Sequence, residues 1–291
     1  MCIRDSFKRH QQIISLYSKP APPFPGLGNY YGTFAGKSEG QLLVGQNRLM
    51  FLYNPQKNVR FQLPWQNNCM RNYASSCAIN ERTLVIAGHA YDSDNRVQLF
   101  QAKQSPPNPK AKPAFSSCFS STNEPMLPGD SHWFTCQTRL PVNVQGHSIV
   151  NVSENRVMLL GGNVTGVGVS NRVFVGEVYK HFLKDIDVTW KELSPLSNAR
   201  TKHVCFKLGD SVFVAGGYGK DGILSSIEKY DLKKKSWSMH SKSLPCALSG
   251  ASAVVDENES YAVIIGGITS AHTDCRKLCA VSYTHLRAHE T

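Results

Sequence analysis

The sequence predicts an all-β chain built from repeated four-stranded antiparallel sheets, and three observations predict it. The first is Arg200–Pro245, where four short apolar runs follow one another with turn residues between them. The second is a glycine pair closing an apolar run, at Gly161-Gly162, Gly216-Gly217 and Gly266-Gly267, in steps of 55 and 50 residues. The third is a tryptophan followed seven residues later by Leu-Pro, at Trp133 to Leu140-Pro141 and at Trp237 to Leu244-Pro245. Two face-packed sheets have no reason to repeat a spacing of roughly 50 residues, whereas sheets stacked around an axis do.

The units follow in chain order. The first, about residues 30–65, holds Leu42–Gly45, Arg48–Tyr53, the turn Asn54-Pro55 and Phe61-Gln62-Leu63-Pro64. The second, about 70–141, has Thr83–Ala87 ending in Gly88-His89, one glycine short, and runs to Trp133. It is interrupted by 103–130, whose proline, serine and lysine (QSPPNPKAKPAF) suit an extended flap. The third, about 144–196, has Arg156–Leu160 before its glycine pair, then Tyr179 and Trp190. In the fourth, about 200–245, Val204, Phe206 and Leu208 alternate up to the turn Gly209-Asp210. Val212–Ala215, Tyr230 and Trp237 then mark its remaining strands. The fifth, about 249–280, carries Tyr261–Ile265 and its glycines but stops before a tyrosine and tryptophan. A glycine pair after a strand lets the chain bend with φ > 0 and admits a neighbouring backbone or ring where a β-carbon would stand.

These residues resemble the kelch repeats. Gly216-Gly217, Tyr230 and Trp237 fall on that family's glycine doublet, tyrosine and tryptophan, with six residues between the last two, and Arg200 and His203 resemble its Arg-x-x-His. Trp133 and Trp190 take the tryptophan place in earlier units. His89 in place of a second glycine, the long Tyr179–Trp190 gap and Phe61 in place of a tryptophan depart from the pattern. The resemblance covers about 42–268. It implies a kelch-type β-propeller with about five units visible, truncated and open, since the last unit stops before the outer strands that closure needs. It further implies protein–protein interaction, as the substrate-recognition part of a ubiquitin ligase, a cytoskeletal scaffold or a signalling adaptor. A propeller enzyme of the galactose-oxidase or sugar-epimerase type is the alternative.

Both ends resemble translated library DNA. Met1–Ser6 (MCIRDS) and Val281–Thr291 (VSYTHLRAHET) match what a transposase mosaic end and its adapter encode when read through. The native part is therefore expected to be 7–280, with 7–29 a linker rich in proline (Pro20, Pro22, Pro23, Pro25).

Net charge is +11, and setting aside Arg4, Asp5, Arg287 and Glu290 leaves it unchanged. Lys229, Lys233, Lys234, Lys235 and Lys242 crowd one unit. They fit either a solvated turn that guards an outer strand or an acidic partner surface. No nucleic-acid module accompanies the charge, and no apolar run reaches the length of about 18 that a membrane span needs. Apart from Cys2, the cysteines are irregularly spaced, and Cys205 sits inside an apolar run. That suits buried thiols in a reducing compartment, the cytoplasm, although sequons at Asn151, Asn163 and Asn258 keep a secreted origin open.

No catalytic motif, metal set or cofactor-binding loop emerges. Glu-x3-Asp-x3-His is missing, as are a serine-nucleophile elbow and a phosphate-binding loop. Arg71, His147, Arg200 and His203 all enter first strands and are candidates to line the axis, where hydrogen bonding to turns fits them better than catalysis. In the resembling fold the loops after second strands (89–96, 163–172, 218–226) share a face with the unit-to-unit connectors. Their chemistry varies while the strands do not, which marks a binding face. Arg172, Tyr218 and Asp221 are its candidate partner-binding residues.

Overall fold

In the computed structural model the described residues are 30–35, 42–46, 49–54, 59–62, 74–79, 83–88, 95–101, 132–180, 186–255, 259–269 and 285–287. The linker 7–29, the insertion 103–130 and Arg71 lie outside them. Among the described residues the strands fall into five blade sheets and two small ones. The first sheet holds β1 (Tyr30–Ala35), β2 (Leu42–Gln46), β3 (Leu49–Asn54) and β4 (Val59–Gln62). The second holds β5 (Ser75–Ala78), β6 (Thr83–Ala87), β7 (Arg96–Gln101) and β8 (His132–Arg139). After β9 (Val144–Gln145) come β10 (Ser148–Ser153), β11 (Arg156–Leu160), the short β12 (Asn163–Val164) and β13 (Gly168–Val169), then β14 (Val173–Lys180) and β15 (Ile186–Leu193). The fourth unit has β16 (Val204–Leu208), β17 (Ser211–Ala215), the short β18 (Tyr218–Gly219) and β19 (Gly222–Ile223), then β20 (Ile227–Asp231) and β21 (Ser236–Met239). The fifth has β22 (Ser249–Val255), β23 (Tyr261–Ile268) and β24 (His285–Arg287).

Each full sheet is an antiparallel meander in sequence order, β1-β2-β3-β4, β5-β6-β7-β8, β10-β11-β14-β15 and β16-β17-β20-β21. First strands stand side by side from unit to unit, β1 against β5, β5 against β10, β10 against β16 and β16 against β22. That is the radial stacking of a β-propeller, with first strands innermost.

The radial arrangement explains why second strands are continuously apolar. A blade is covered on both faces, so alternate residues enter different interfaces, and all five residues of β17 are buried. Leu159 and Val157 pack with Val85, Leu99 and Leu140 between the second and third blades. Met158 and Leu160 instead join Val212, Val214 and Tyr230 between the third and fourth. Phe213 and Ala215 meet Ala262 and Ile264 between the fourth and fifth. Leu140, Leu196 and Leu244 each plug one of these three layers from a connector, which accounts for the recurring Leu-Pro leucine.

Gly161-Gly162 and Gly216-Gly217 follow directly on second strands with φ of 56°, 97°, 63° and 96°. Gly162 N donates to Arg200 O at 2.8 Å, and Gly217 N donates to Leu248 O at 2.8 Å, so the second glycine ties its blade to the next connector. A β-carbon on Gly216 would stand 2.3 Å from Leu248 O, so no side chain fits there. Gly266-Gly267 differs in lying inside β23 rather than beyond it. Trp133, Trp190 and Trp237 lie on fourth strands, although the side chain of Trp133 is outside the described ones. His285–Arg287, in the stretch expected to be adapter-encoded, pairs as β24 with Tyr261–Val263.

Candidate interaction face

Two of the three segments read from the sequence as loops after second strands, 163–172 and 218–226, carry β-hairpins, and 89–94 lie outside the described residues. In the third blade β12 pairs with β13 on one side and with β9 on the other, and β9 belongs to the connector entering that blade. In the fourth, β18 pairs with β19 across Lys220-Asp221. Thr201 N donates to Tyr218 O at 2.9 Å and Tyr218 N to Thr201 O at 2.7 Å, so this hairpin too is stitched to its connector. Hairpins and connectors thus form one face. Their glycines and short polar residues carry no strand periodicity, which is why the sequence showed only loops.

Both hairpins are exposed, Val167 at 80% in the turn of the first and Tyr218 at 48% at the base of the second, whose turn residues Lys220 and Asp221 are also exposed. Arg172 is exposed but already engaged. Its Nε and Nη2 donate to the Glu192 carboxylate at 2.7 and 2.9 Å, and its guanidinium lies 4.8 Å from the Phe174 ring centroid. That bidentate bond raises the arginine pKa and lowers that of Glu192. Arg172 is therefore half of a surface pair, while Tyr218 is held through its backbone and offers its ring outward.

The lysine cluster of the fourth unit sits elsewhere. Lys233, Lys234 and Lys235 occupy the turn between β20 and β21, at the opposite end of the blade from the hairpins. Asp231 accepts from the backbone N–H groups of Lys234 and Lys233 at 2.8 and 2.9 Å, which holds its pKa down. Lys233 pairs with Asp210 and Lys207 with Glu259. This edge carries its own counter-charges.

Arg200, His147 and His203, the described candidates to line the axis, are all buried. Arg200 and Glu228 are both 0% exposed and meet at 2.7 Å. The guanidinium also donates to Gly216 O at 2.8 Å and to the Ser226 hydroxyl at 3.1 Å. Glu228 accepts from the backbone N–H groups of Ser197 and Asn198 at 2.6 and 3.1 Å. Every polar partner is met, so the pair clamps the incoming connector to the fourth blade, and removing either charge would strand the other in a dry site. Glu228 escaped sequence reading because alternation in Ile227–Asp231 suggests a solvent-facing carboxylate.

His203 lies with its β-carbon against Gly217 and its ring edge against Gly161, a wedge between the third and fourth blades. Burial, with the Arg200 charge and His147 nearby, holds its pKa down at about 3, so the ring is neutral. His147 repeats the placement one blade earlier, against Gly162 and Gly88. Burial likewise pushes the Cys205 thiol up to about 12, and Cys77, Cys205 and Cys246 are free thiols. Among the described residues no three His, Cys, Asp or Glu side chains gather as a metal set, and no helix is long and apolar enough to cross a membrane.

Tyr230 and Trp237 face each other across β20 and β21 with ring centroids 4.9 Å apart. The indole of Trp237 donates to Ser194 O of the preceding blade at 2.9 Å. The Kelch motif family matches residues 199–239, the stretch holding Arg200, the glycine pair, Tyr230 and Trp237. That stretch is a kelch motif. The chain is similar to Kelch-like protein 34 of Homo sapiens, 31% identical over 145 residues, which is 47% of this chain and 22% of that protein. Kelch-like protein 40 of Xenopus laevis is 29% identical over 139 residues, 48% of this chain and 21% of that one. Alpha-scruin of Limulus polyphemus is 31% identical over 86 residues, 29% of this chain and 9% of that protein. The chain thus spans about a fifth of the length of the Kelch-like relatives it matches. The solved structure of YjhT superposes with a TM-score of 0.55 at 14% identity, over 85% of this chain and 75% of that one, a likeness of fold alone.

Proposed function

We propose that the chain is a protein–protein interaction scaffold whose partner docks on the hairpin-and-connector face. One observation carries this reading. Two hairpins of unlike length and chemistry stand on blades that keep one strand pattern, and each exposes an apolar residue, Val167 or Tyr218. A rigid frame with variable tips is the arrangement by which loops acquire binding specificity. The similarity to Kelch-like proteins supports it, and within it the chain acts in the cytoplasm as the substrate-recognition part of a ubiquitin ligase or as a cytoskeletal or signalling adaptor. The partner is a protein with an acidic surface, in keeping with the net charge of +11.

The test is a joint substitution of Arg172, Tyr218 and Asp221 by alanine, with affinity capture from lysate and thermal melting measured together. Capture should be lost while the melting midpoint stays in place, because all three side chains are at the surface and the hairpin is held by its backbone. Capture that survives the triple substitution would move the partner to another face.

A further inference from the structure

Exposed apolar side chains gather at one end of the blades. Among the described residues the large ones are Val167, Tyr218, Met239 and Ile268, and all four lie at the hairpin-and-connector end. Turns at the opposite end expose charge instead, Glu154 and Arg156 in the third blade and Asp210, Lys233 and Lys234 in the fourth. Two of the four apolar residues occupy one structural position. Tyr218 and Ile268 each follow the glycine pair of their blade, at 48% and 42% exposure, where the third blade has the half-buried Asn163.

The surface between Tyr218 and Ile268 is uncharged. Leu244 N donates to Ser225 O at 2.8 Å and Leu248 N to Leu224 O at 3.1 Å, so the connector into the fifth blade runs along the foot of the fourth-blade hairpin. Leu248 O accepts from Gly217 N, and a β-carbon on Gly267 would stand 2.9 Å from the Leu248 side chain. One connector residue therefore joins the neighbour of Tyr218 to the neighbour of Ile268. On this connector Pro245 is exposed and Cys246 and Ala247 are half-buried. The connector into the fourth blade exposes Ser194, Ser197 and Asn198 instead, so the apolar strip belongs to the fourth and fifth blades.

We infer that the strip from Tyr218 across Pro245, Cys246 and Ala247 to Ile268 is the contact area of the interaction face, and that it takes a short segment of the partner protein carrying two large apolar side chains among acidic residues. The inference rests on the scaffold reading and deepens it by naming the contact. Covering Tyr218 and Ile268 removes apolar surface from water, which is the source of affinity. The acidic flanks follow from the sign of the border, where Lys202, Lys220 and Lys242 are exposed against Asp221 alone. Lys202 and Lys242 already hold contacts of their own. The border therefore steers an acidic segment, and the strip holds it.

The experiment selects peptides on the full chain from a random library displayed on phage, then measures their binding as labelled synthetic peptides by fluorescence anisotropy. Selected peptides should share two large apolar residues and carry more Asp and Glu than Lys and Arg. Tyr218→Ser and Ile268→Ser should each weaken binding by about tenfold or more, with melting midpoints in place because both side chains are exposed. Ile268→Leu should bind as the unsubstituted chain does, and so should Val167→Ser on the neighbouring hairpin. High salt should weaken binding by less than about tenfold, since screening removes the steering and leaves the apolar contact. A selection that yields no peptide, or peptides that lack the apolar pair or are mainly basic, would overturn the assignment. Normal binding by either serine variant of the strip, loss of binding in Val167→Ser, or abolition by salt would overturn it as well. If Ile268→Ser binds normally while the Arg172, Tyr218, Asp221 triple variant loses its captured partner, only the strip fails. If the triple variant keeps its partner, the face itself is wrong.

Discussion

Burial fixes the protonation of His203, and that has a consequence in solution. The ring titrates at 6.5 when unfolded but is held at about 3 between the third and fourth blades. The unfolded chain therefore binds a proton that the folded chain refuses between those two values. Stability from this residue is complete above pH 6.5 and falls as pH drops towards 3, by about 1.4 kcal/mol per pH unit where the difference is a full proton. His203→Leu fills the wedge without titrating. Urea midpoints measured from pH 7 to pH 4 should show a shallower acid loss in the variant than in the unsubstituted chain, and parallel curves would mean that the imidazole takes up its proton while folded. At this scale the sequence was legible in part. Arg200 and His203 stood out by their three-residue spacing, yet their packing between blades depends on glycines contributed by two separate units. Glu228 was invisible, because its burial needs the connector at Ser197-Asn198 to fold over it.

Among the elements, the strands were the most legible part. Two-sided burial turns a second strand into a continuous apolar run, so Val212–Ala215 and Arg156–Leu160 marked themselves and their glycines marked their ends. The two-residue strands β9, β12, β13, β18 and β19 were not readable, since their pairing comes from backbone bonds between distant segments rather than from side-chain pattern. The fourth strand of the fourth blade is held differently, by a tryptophan tilted against Tyr230. Trp237 packs on Tyr230 within its blade and hydrogen-bonds Ser194 of the blade before, whereas Lys234 in the adjoining turn is solvated. Trp237→Ala should cost about 3 kcal/mol, the lower end for a tryptophan because part of the ring is exposed, and Lys234→Ala should stay within about 0.5 kcal/mol. Denaturant midpoints decide it. Equal shifts would show that the indole does not join the two blades.

For the whole molecule, radial stacking divides the core into layers, each shared by two neighbouring blades and separated from the next by a sheet. The repeat spacing announced this architecture, although the spacing alone does not say how strongly the layers depend on one another. Leu159 belongs to the layer between the second and third blades, and Ile264 to that between the fourth and fifth. Leu160 and Val214 come from different blades but share the layer between the third and fourth. Distant sites with no common partner add to within about 0.5 kcal/mol, whereas residues facing one cavity couple by about 0.5–3 kcal/mol. The double variant Leu159→Ala, Ile264→Ala should therefore lose the sum of its single losses. The double variant Leu160→Ala, Val214→Ala should depart from its sum, because the second truncation opens onto the void left by the first. Chemical denaturation of the four single and two double variants supplies both cycles. Coupling across the distant pair as large as that within the shared layer would mean that the blades respond as one continuous core, and the layered account of their stability would have to be abandoned.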